Sequence, residues 1–382
     1  NNSDITASGN ISGVTTLTLA DVGGTATLSG DVDVTTLTVG NTVANVAFTG
    51  NGSSVASSFT PNNDGTFIFG ASGGTQTYNG GLNTASVDGT VTLNGTIVTS
   101  DDAVVLGAVT LGSATTIDTN TAALTIGTVT GGSNALTLKD LSGGAFNGAI
   151  SNVTTLTVDD WGADAQFNST VNATTITVQN NTNDGRISFN GNLTVGTFST
   201  DTSNMSVEIL GSSNTFSQRA TFRNSGNINL GSTGATDSFT FNGGLTDSSV
   251  SSGTFFRIAG SFASSNDTIV IDDVVVRANT TIDTNATNNT GDITLGAITT
   301  DNGSRTLTLS TGNNIAGADI TASGNITGVT TLTLADVGGT ATLSGDVDVT
   351  TLTVGNTVAN VAFTGNGSSV ASSFTPNNDG TF

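Results

Sequence analysis

The 382-residue chain contains no cysteine and no histidine, only two prolines, and a single lysine, glutamate, methionine, tryptophan and tyrosine. Each absence closes a class of chemistry. Without Cys or His there is no zinc finger, iron–sulfur cluster, thiol nucleophile, Ser-His-Asp triad or histidine-ligated haem. No disulfide can staple the fold. Seven basic residues against 29 acidic ones leave a net charge of −22. Phosphate affinity comes mainly from cationic contacts, so no nucleic-acid partner is expected. No apolar run nears the ~20 residues of a bilayer-spanning helix, and no membrane insertion is expected. With neither an initiating Met nor a signal-like segment, the chain reads as a fragment or a processed product.

What is present points to strands. Gly is abundant, at 50 residues, and 35% of the chain is hydrophobic. Val, Ile, Leu and Phe alternate with Thr and Ser, which is the period of a half-buried strand rather than of a solvated coil. An ordered, all-β chain is expected.

Repeats set the expected architecture. Residues 1–67 and 316–382 align without gaps at an offset of 315 and differ only at 1–3 and 12, so 63 positions match. The chain reads as one long unit, 1–315, followed by the start of the next, 316–382, with no separate globular domain. Within the unit, TYNGGL (77–82) is answered by TFNGGL (240–245), and TTIDTN recurs at 115–120 and 280–285. Two diverged halves are expected, about 1–150 and 151–315. The shortest repeat sets VTTLTL (14–19) against VTTLTV (34–39), and VTTLTV (153–158) against ATTITV (173–178), at an offset of 20 in both cases. Such a period, with three short strands in it, predicts a parallel β-solenoid whose coils stack through backbone ladders. An array of β-sandwiches is the competing architecture. At ~20 residues per coil and ~4.8 Å per strand spacing, about 19 coils would rise roughly 90 Å.

Alternation assigns faces. In VTTLTL, Thr15, Leu17 and Leu19 share one face and Val14, Thr16 and Thr18 the other, with the Leu pair expected inside. Phe48, Phe167, Phe189 and Phe241, each at a strand end, are expected to form an internal stack rather than an exposed adhesive stripe. Trp161 is expected to pack at a coil edge, with a sugar-stacking platform as the alternative.

The chemistry available is sparse. Weak metal candidates are the pairs Asp101–Asp102, Asp159–Asp160 and Asp272–Asp273, with Arg257, Arg277 or Arg305 as partners in an enzyme reading. Adjacent strand residues point to opposite faces, so such a pair can share an ion only in a turn. The pairs are expected to be solvated coil corners. The segment 21–34 lacks the nonapeptide spacing of calcium-binding solenoids, and no EF-hand loop occurs. The expectation is no catalytic residue, no cofactor and no enzyme activity, with loosely associated Ca2+ at most. Thr16/Thr18, Thr36/Thr38, Thr155/Thr157 and Thr175/Thr177 raise ice binding, which ordinary strand propensity also explains. Sequons such as those at Asn10, Asn172 and Asn192 carry little information in so Asn-rich a chain.

The segments VTTLTLADVGGTATLSGDVDVTTLTVGN and TTIDTNATNNTGDITLGAITTDNGSRTLTLS resemble the filamentous-haemagglutinin-like and giant β-strand-repeat surface proteins of bacteria. The resemblance implies a right-handed parallel β-helix, export across an outer membrane, and an extracellular role as surface fibre or adhesin. The expected partners are further copies of the same repeat, lateral self-association or glycans. A structural filament or stalk is the leading expectation and a glycan-binding adhesin the alternative. A polysaccharide-acting enzyme or an ice-binding protein stands behind both.

Overall fold

The computed structural model describes residues 3–181, 183–234, 236–248, 255–287, 290–312 and 317–382. It is a parallel β-solenoid of about 17 turns, with coils stacked about 21 residues apart and no helix among the described residues. The chain falls into two compact units, Asn1–Ile187 and Ser188–Phe382.

In the first unit each turn carries three strand segments. One turn runs through Thr25–Leu28 and Val32–Val39, the latter spanning two segments, the next through Asn45–Phe48, Ser54–Val55 and Phe59, and a third through Phe67–Phe69, Thr75–Tyr78 and Leu82–Asn83. The short spacing read from sequence is the stacking register itself: Leu17 pairs with Leu37, and Leu156 with Ile176. Like therefore sits on like. Ala26, Val46, Phe67 and Val91 form one column, and Leu28, Phe48, Phe69 and Leu93 another. Members of both columns are at most 2% exposed, and fully burying a side chain of this size contributes about 1.5–3 kcal/mol.

The Val-Thr-Thr-Leu motif faces differently from its alternation. Val34 (6% exposed) and Leu37 (4%) are both buried, as are Val153 and Leu156, or Val329 and Leu332. Residues three apart on a straight strand face opposite sides, so the chain turns a corner at the paired threonines. The ladder keeps its offset of 20 through this corner, Val153 pairing with Ala173 and Thr155 with Thr175. Val14 was expected on the Thr16/Thr18 face, outside; its equivalents one turn and one repeat on point in.

The second unit has longer turns and a more aromatic core. Hydrogen bonds between successive coils span 27 or 28 residues at Asp292–Asp319 and Thr300–Gly328, against 21 at Asp4–Thr25. The core holds Phe216 stacked on Phe241 (4.6 Å between ring centres, planes 18° apart) and Phe239 on Phe262 (4.8 Å, 4°). In the first unit Phe146 stacks on Phe167 at 4.3 Å. Phe48, Phe167, Phe189 and Phe241 are at most 1% exposed, so the internal stack is present. Offset stacking in register adds about 0.5–1.5 kcal/mol per pair beyond area burial.

Corners explain why every acid but one is Asp. Short Asx side chains reach from one coil corner to backbone N–H groups of the next. Asp4 accepts from Thr25 N–H (2.7 Å), Asn10 from Asp31 (3.0 Å), Asp31 from Gly52 (2.7 Å) and Asn45 from Thr66 (3.0 Å). The same four clamps recur in the second copy of the repeat, at Asp319–Thr340, Asn325–Asp346, Asp346–Gly367 and Asn360–Thr381. A longer Glu would overshoot, and Asx residues also tolerate the left-handed backbone that corners use.

Candidate functional site

The three Asp pairs all lie at corners, where neighbouring side chains are no longer bound to opposite faces. Asp101 and Asp160 have left-handed backbones (φ 67° and 49°), and Asp272 and Asp273 form a bend. Each pair is nevertheless engaged between coils. Thr121 Oγ1 donates to the Asp101 carboxylate (2.9 Å), Asn180 Nδ2 to Asp159 (2.7 Å), and the Ala297 N–H to Asp273 (2.8 Å). Asp272 donates its own N–H to the Asp247 carboxylate (3.3 Å). Asp102 offers its backbone carbonyl to Thr99 Oγ1 (2.7 Å). Among the described residues no group of three or more His, Cys, Asp or Glu side chains is placed to hold a metal ion.

One of these corners is more than a clamp. Asn120, Asp140, Asp160 and Asn180, one on each successive coil, all have φ between 49° and 53° and form a left-handed column. Its two central members are like charges on adjacent coils. Lys139, the only lysine, donates to Asp140 (2.5 Å) and to Asp118 one coil back (3.3 Å), and Lys139 pairs in register with Asp118 and Asp159. The hydrogen bond to Asp140 pushes the lysine up to about 12. Burial acts to raise Asp140, but hydrogen bonds from Lys139 and Asp160 and the lysine charge outweigh it and hold this carboxyl below the usual range. Asp160 is driven the other way, by its hydrogen bond with Asp140, then by burial and by the Asp140 charge. The pair thus holds a proton more readily than two separate carboxylates would. A cavity of about 260 Å³ opens beside it, lined in part by Asn120, Thr121, Asp140, Ser142 and Asp160.

The sign of the Asp160 effect gives a prediction. A carboxyl raised in the folded state contributes stability below its ordinary value and loses it as pH rises through the raised value. At neutral pH the ionised Asp160 is therefore a small liability. Asp160→Asn keeps a side chain that accepts the left-handed backbone, as Asn120 and Asn180 do, and removes the charge. The variant is expected to be more stable than the wild type by about 0.5 kcal/mol at pH 7, a value limited by solvent screening. The gain should shrink as pH falls through the carboxylate range. Urea midpoints at pH 7 and pH 3 check it; an equal or larger gain at pH 3 contradicts it.

The other sequence candidates resolve as follows. Trp161 is fully buried, in register between Leu141 and Asn181, so its ring is no exposed platform. Thr96, Thr116, Thr137, Thr157 and Thr177 form one continuous row across five coils. Two positions earlier stand Asn94, Ala114, Ala135, Thr155 and Thr175, so the threonines are two ranks wide only on the adjacent coils where Thr155 pairs with Thr175, and one rank wide on the other three. The sequon residues Asn10 and Asn192 use their side-chain oxygens as inter-coil acceptors.

The three arginines come together away from the Asp pairs. Asp301 lies between Arg277 (3.7 Å) and Arg305 (3.4 Å), and Arg257 caps the exposed Phe255 ring at 4.8 Å. Sequence reasoning placed these arginines beside the aspartate pairs as an enzyme's partners. The signal it lacked was the longer turn that carries Arg305 onto the same face. No family model, no curated protein and no solved structure matches this chain.

Proposed function

We propose that this chain is the repeat region of an extracellular bacterial filament, stalk or surface fibre, in which the repeat supplies length. The supporting observation is that the long repeat is structural as well as textual. Four inter-coil clamps recur one repeat apart with the same donors and acceptors, all between 2.7 and 3.1 Å. In a stack whose units touch only their neighbours, stability is a sum of coil and junction terms. A repeat kept the same at its junctions extends such a stack without new contacts to invent. Net negative charge acts along a stack as a line rather than singly, because coil spacing is shorter than the ~8 Å Debye length, and keeps neighbouring fibres apart.

The test is immunogold electron microscopy of intact cells that make the protein, with antibody raised to one site within residues 68–315. Labels spaced along surface filaments, at roughly 70 Å for ~15 coils of ~4.8 Å, are the expected result. Label found only after lysis, or filaments without label, overturns the reading.

A further inference from the structure

We infer that the face carrying Phe255, Arg257, Arg277 and Arg305 is a binding site for a linear carboxylate-bearing polysaccharide. Three of the chain's seven cations gather here, and among the described residues two of them share one carboxylate, Asp301, in a protein of net charge −22. They are distributed along the stack. Arg257 pairs in register with Val275, two residues before Arg277, and Val275 pairs with Thr299, two residues before Asp301. Side chains two apart on a strand share a face, so Arg257, Arg277 and Asp301 climb diagonally over three successive coils, and Arg305 joins them through its contact with Asp301. Val275 lies beneath them and is only 8% exposed, as expected where arginine stems lie across an outward position.

The donors on this face are under-used. Asp301 sits at 3.7 and 3.4 Å from its two arginines, longer than the ~2.7–2.9 Å of a close charge-assisted pair. Among the described residues Arg257 has no ion pair or hydrogen bond; its contact is the face of the Phe255 ring. Burial, and then the charge of Arg277, make its proton easier to lose than in an ordinary arginine, while the Asp301 charge acts against them. The Arg305 Nε is buried and unpartnered. Each guanidinium offers five N–H donors in a planar fork that matches a carboxylate.

The geometry selects the ligand class. One coil (~4.8 Å) and two residues (~6.6 Å) separate Arg257 from Arg277, so their positions lie roughly 8 Å apart, a spacing that suits a polymer repeating its negative charge along an extended backbone. Phe255, 46% exposed, adds an apolar ring against which the C–H face of a sugar can lie. A second copy of this chain also carries carboxylates at coil spacing, but it brings a net charge of −22 with it, and that repulsion acts over the whole length of any lateral contact. A polysaccharide meets only the patch. The proposal is independent of the fibre reading: a stalk can carry this site or lack it.

The experiment uses the full chain and polygalacturonate, followed by isothermal titration or surface resonance at 20 and 150 mM salt, with dextran as the neutral control. Saturable binding to polygalacturonate and none to dextran is expected, weakening with salt as counterion release requires. Arg257→Gln and Arg277→Gln are each expected to weaken binding roughly tenfold, the loss of about one charge-assisted contact. Arg219→Gln, elsewhere on the chain, should leave binding unchanged. Thermal unfolding of each variant confirms that the fold is retained. Phe255→Ala, which removes no charge, should weaken binding at both salt concentrations by a similar factor. No binding at 20 mM salt overturns the proposal, as does equal binding by wild type and the two Gln variants. Wild-type dimers in sedimentation that dissolve on Arg277→Gln, without polysaccharide binding, also overturn it and assign the patch to a second copy.

Discussion

Phe59→Ala is expected to destabilise the first unit by about 3–5 kcal/mol, while Phe255→Ala, which removes a ring that is 46% exposed, should cost less than about 1 kcal/mol. Phe59 is fully buried and packs against Phe67 (5.8 Å), Phe69 (6.3 Å) and Tyr78 (5.8 Å), all from the coil that follows. Phe255 is 46% exposed, with the Arg257 guanidinium over its ring at 4.8 Å. Removing a buried ring loses its transfer free energy and leaves a cavity; removing a half-wet one loses part of the first and none of the second. Because stacked repeats can unfold in parts, the check is hydrogen exchange resolved by coil. Amides of Thr25–Leu28 and Asn45–Phe48 should lose protection in Phe59→Ala, and those of Phe256–Ser264 should change little in Phe255→Ala. Equal losses at the two positions would mean that the neighbouring coil contributes nothing.

Gly231→Ala is expected to cost about 2–5 kcal/mol, a large effect for one methyl group. Gly231 has φ +89°, and a Cβ built there would fall inside contact distance of the Ala259 carbonyl oxygen and carbon. The left-handed backbone costs an alanine roughly 1–2 kcal/mol, and forcing an extra carbon against a neighbouring backbone about 1–3 kcal/mol more. The second penalty comes from the coil stacked next to it, whose backbone leaves no room at this corner. Gly73, also left-handed (φ +76°), has nothing within 4 Å of the same position. Gly73→Ala should therefore show the backbone penalty alone. Urea unfolding of the two variants, side by side, separates strain from collision. A Gly231→Ala protein no less stable than Gly73→Ala would show that the coils can move apart freely.

Much of this architecture was legible because a solenoid writes its period into its sequence. Leu17 and Leu37 hold the same place in successive copies of the short motif and are partners in the ladder, so a spacing alone yields a register. The burial of Phe48, Phe167, Phe189 and Phe241 followed from the same logic. The corner in Val-Thr-Thr-Leu did not follow, because alternation assumes a straight strand and nothing in two consecutive threonines announces a bend. The candidate sites divide in the same way. Asp159–Asp160 was visible as a pair, but its partners Asp118, Lys139 and Asp140 lie one or two coils away, where only stacking unites them. The arginine face was hidden for the same reason, its members being spread over turns of unequal length.

By itself, then, the sequence determined the strand, the period, the columns of like residues and the excluded chemistries, since each depends on residue type and short-range spacing. Tertiary structure decided where the strands bend and which distant side chains meet. Val34 and Leu37, three residues apart, are only 6% and 4% exposed, and Lys139 reaches Asp118 one coil back at 3.3 Å. Burial is a property of what lies against a side chain, and in a stack of coils that is supplied by the neighbouring turn.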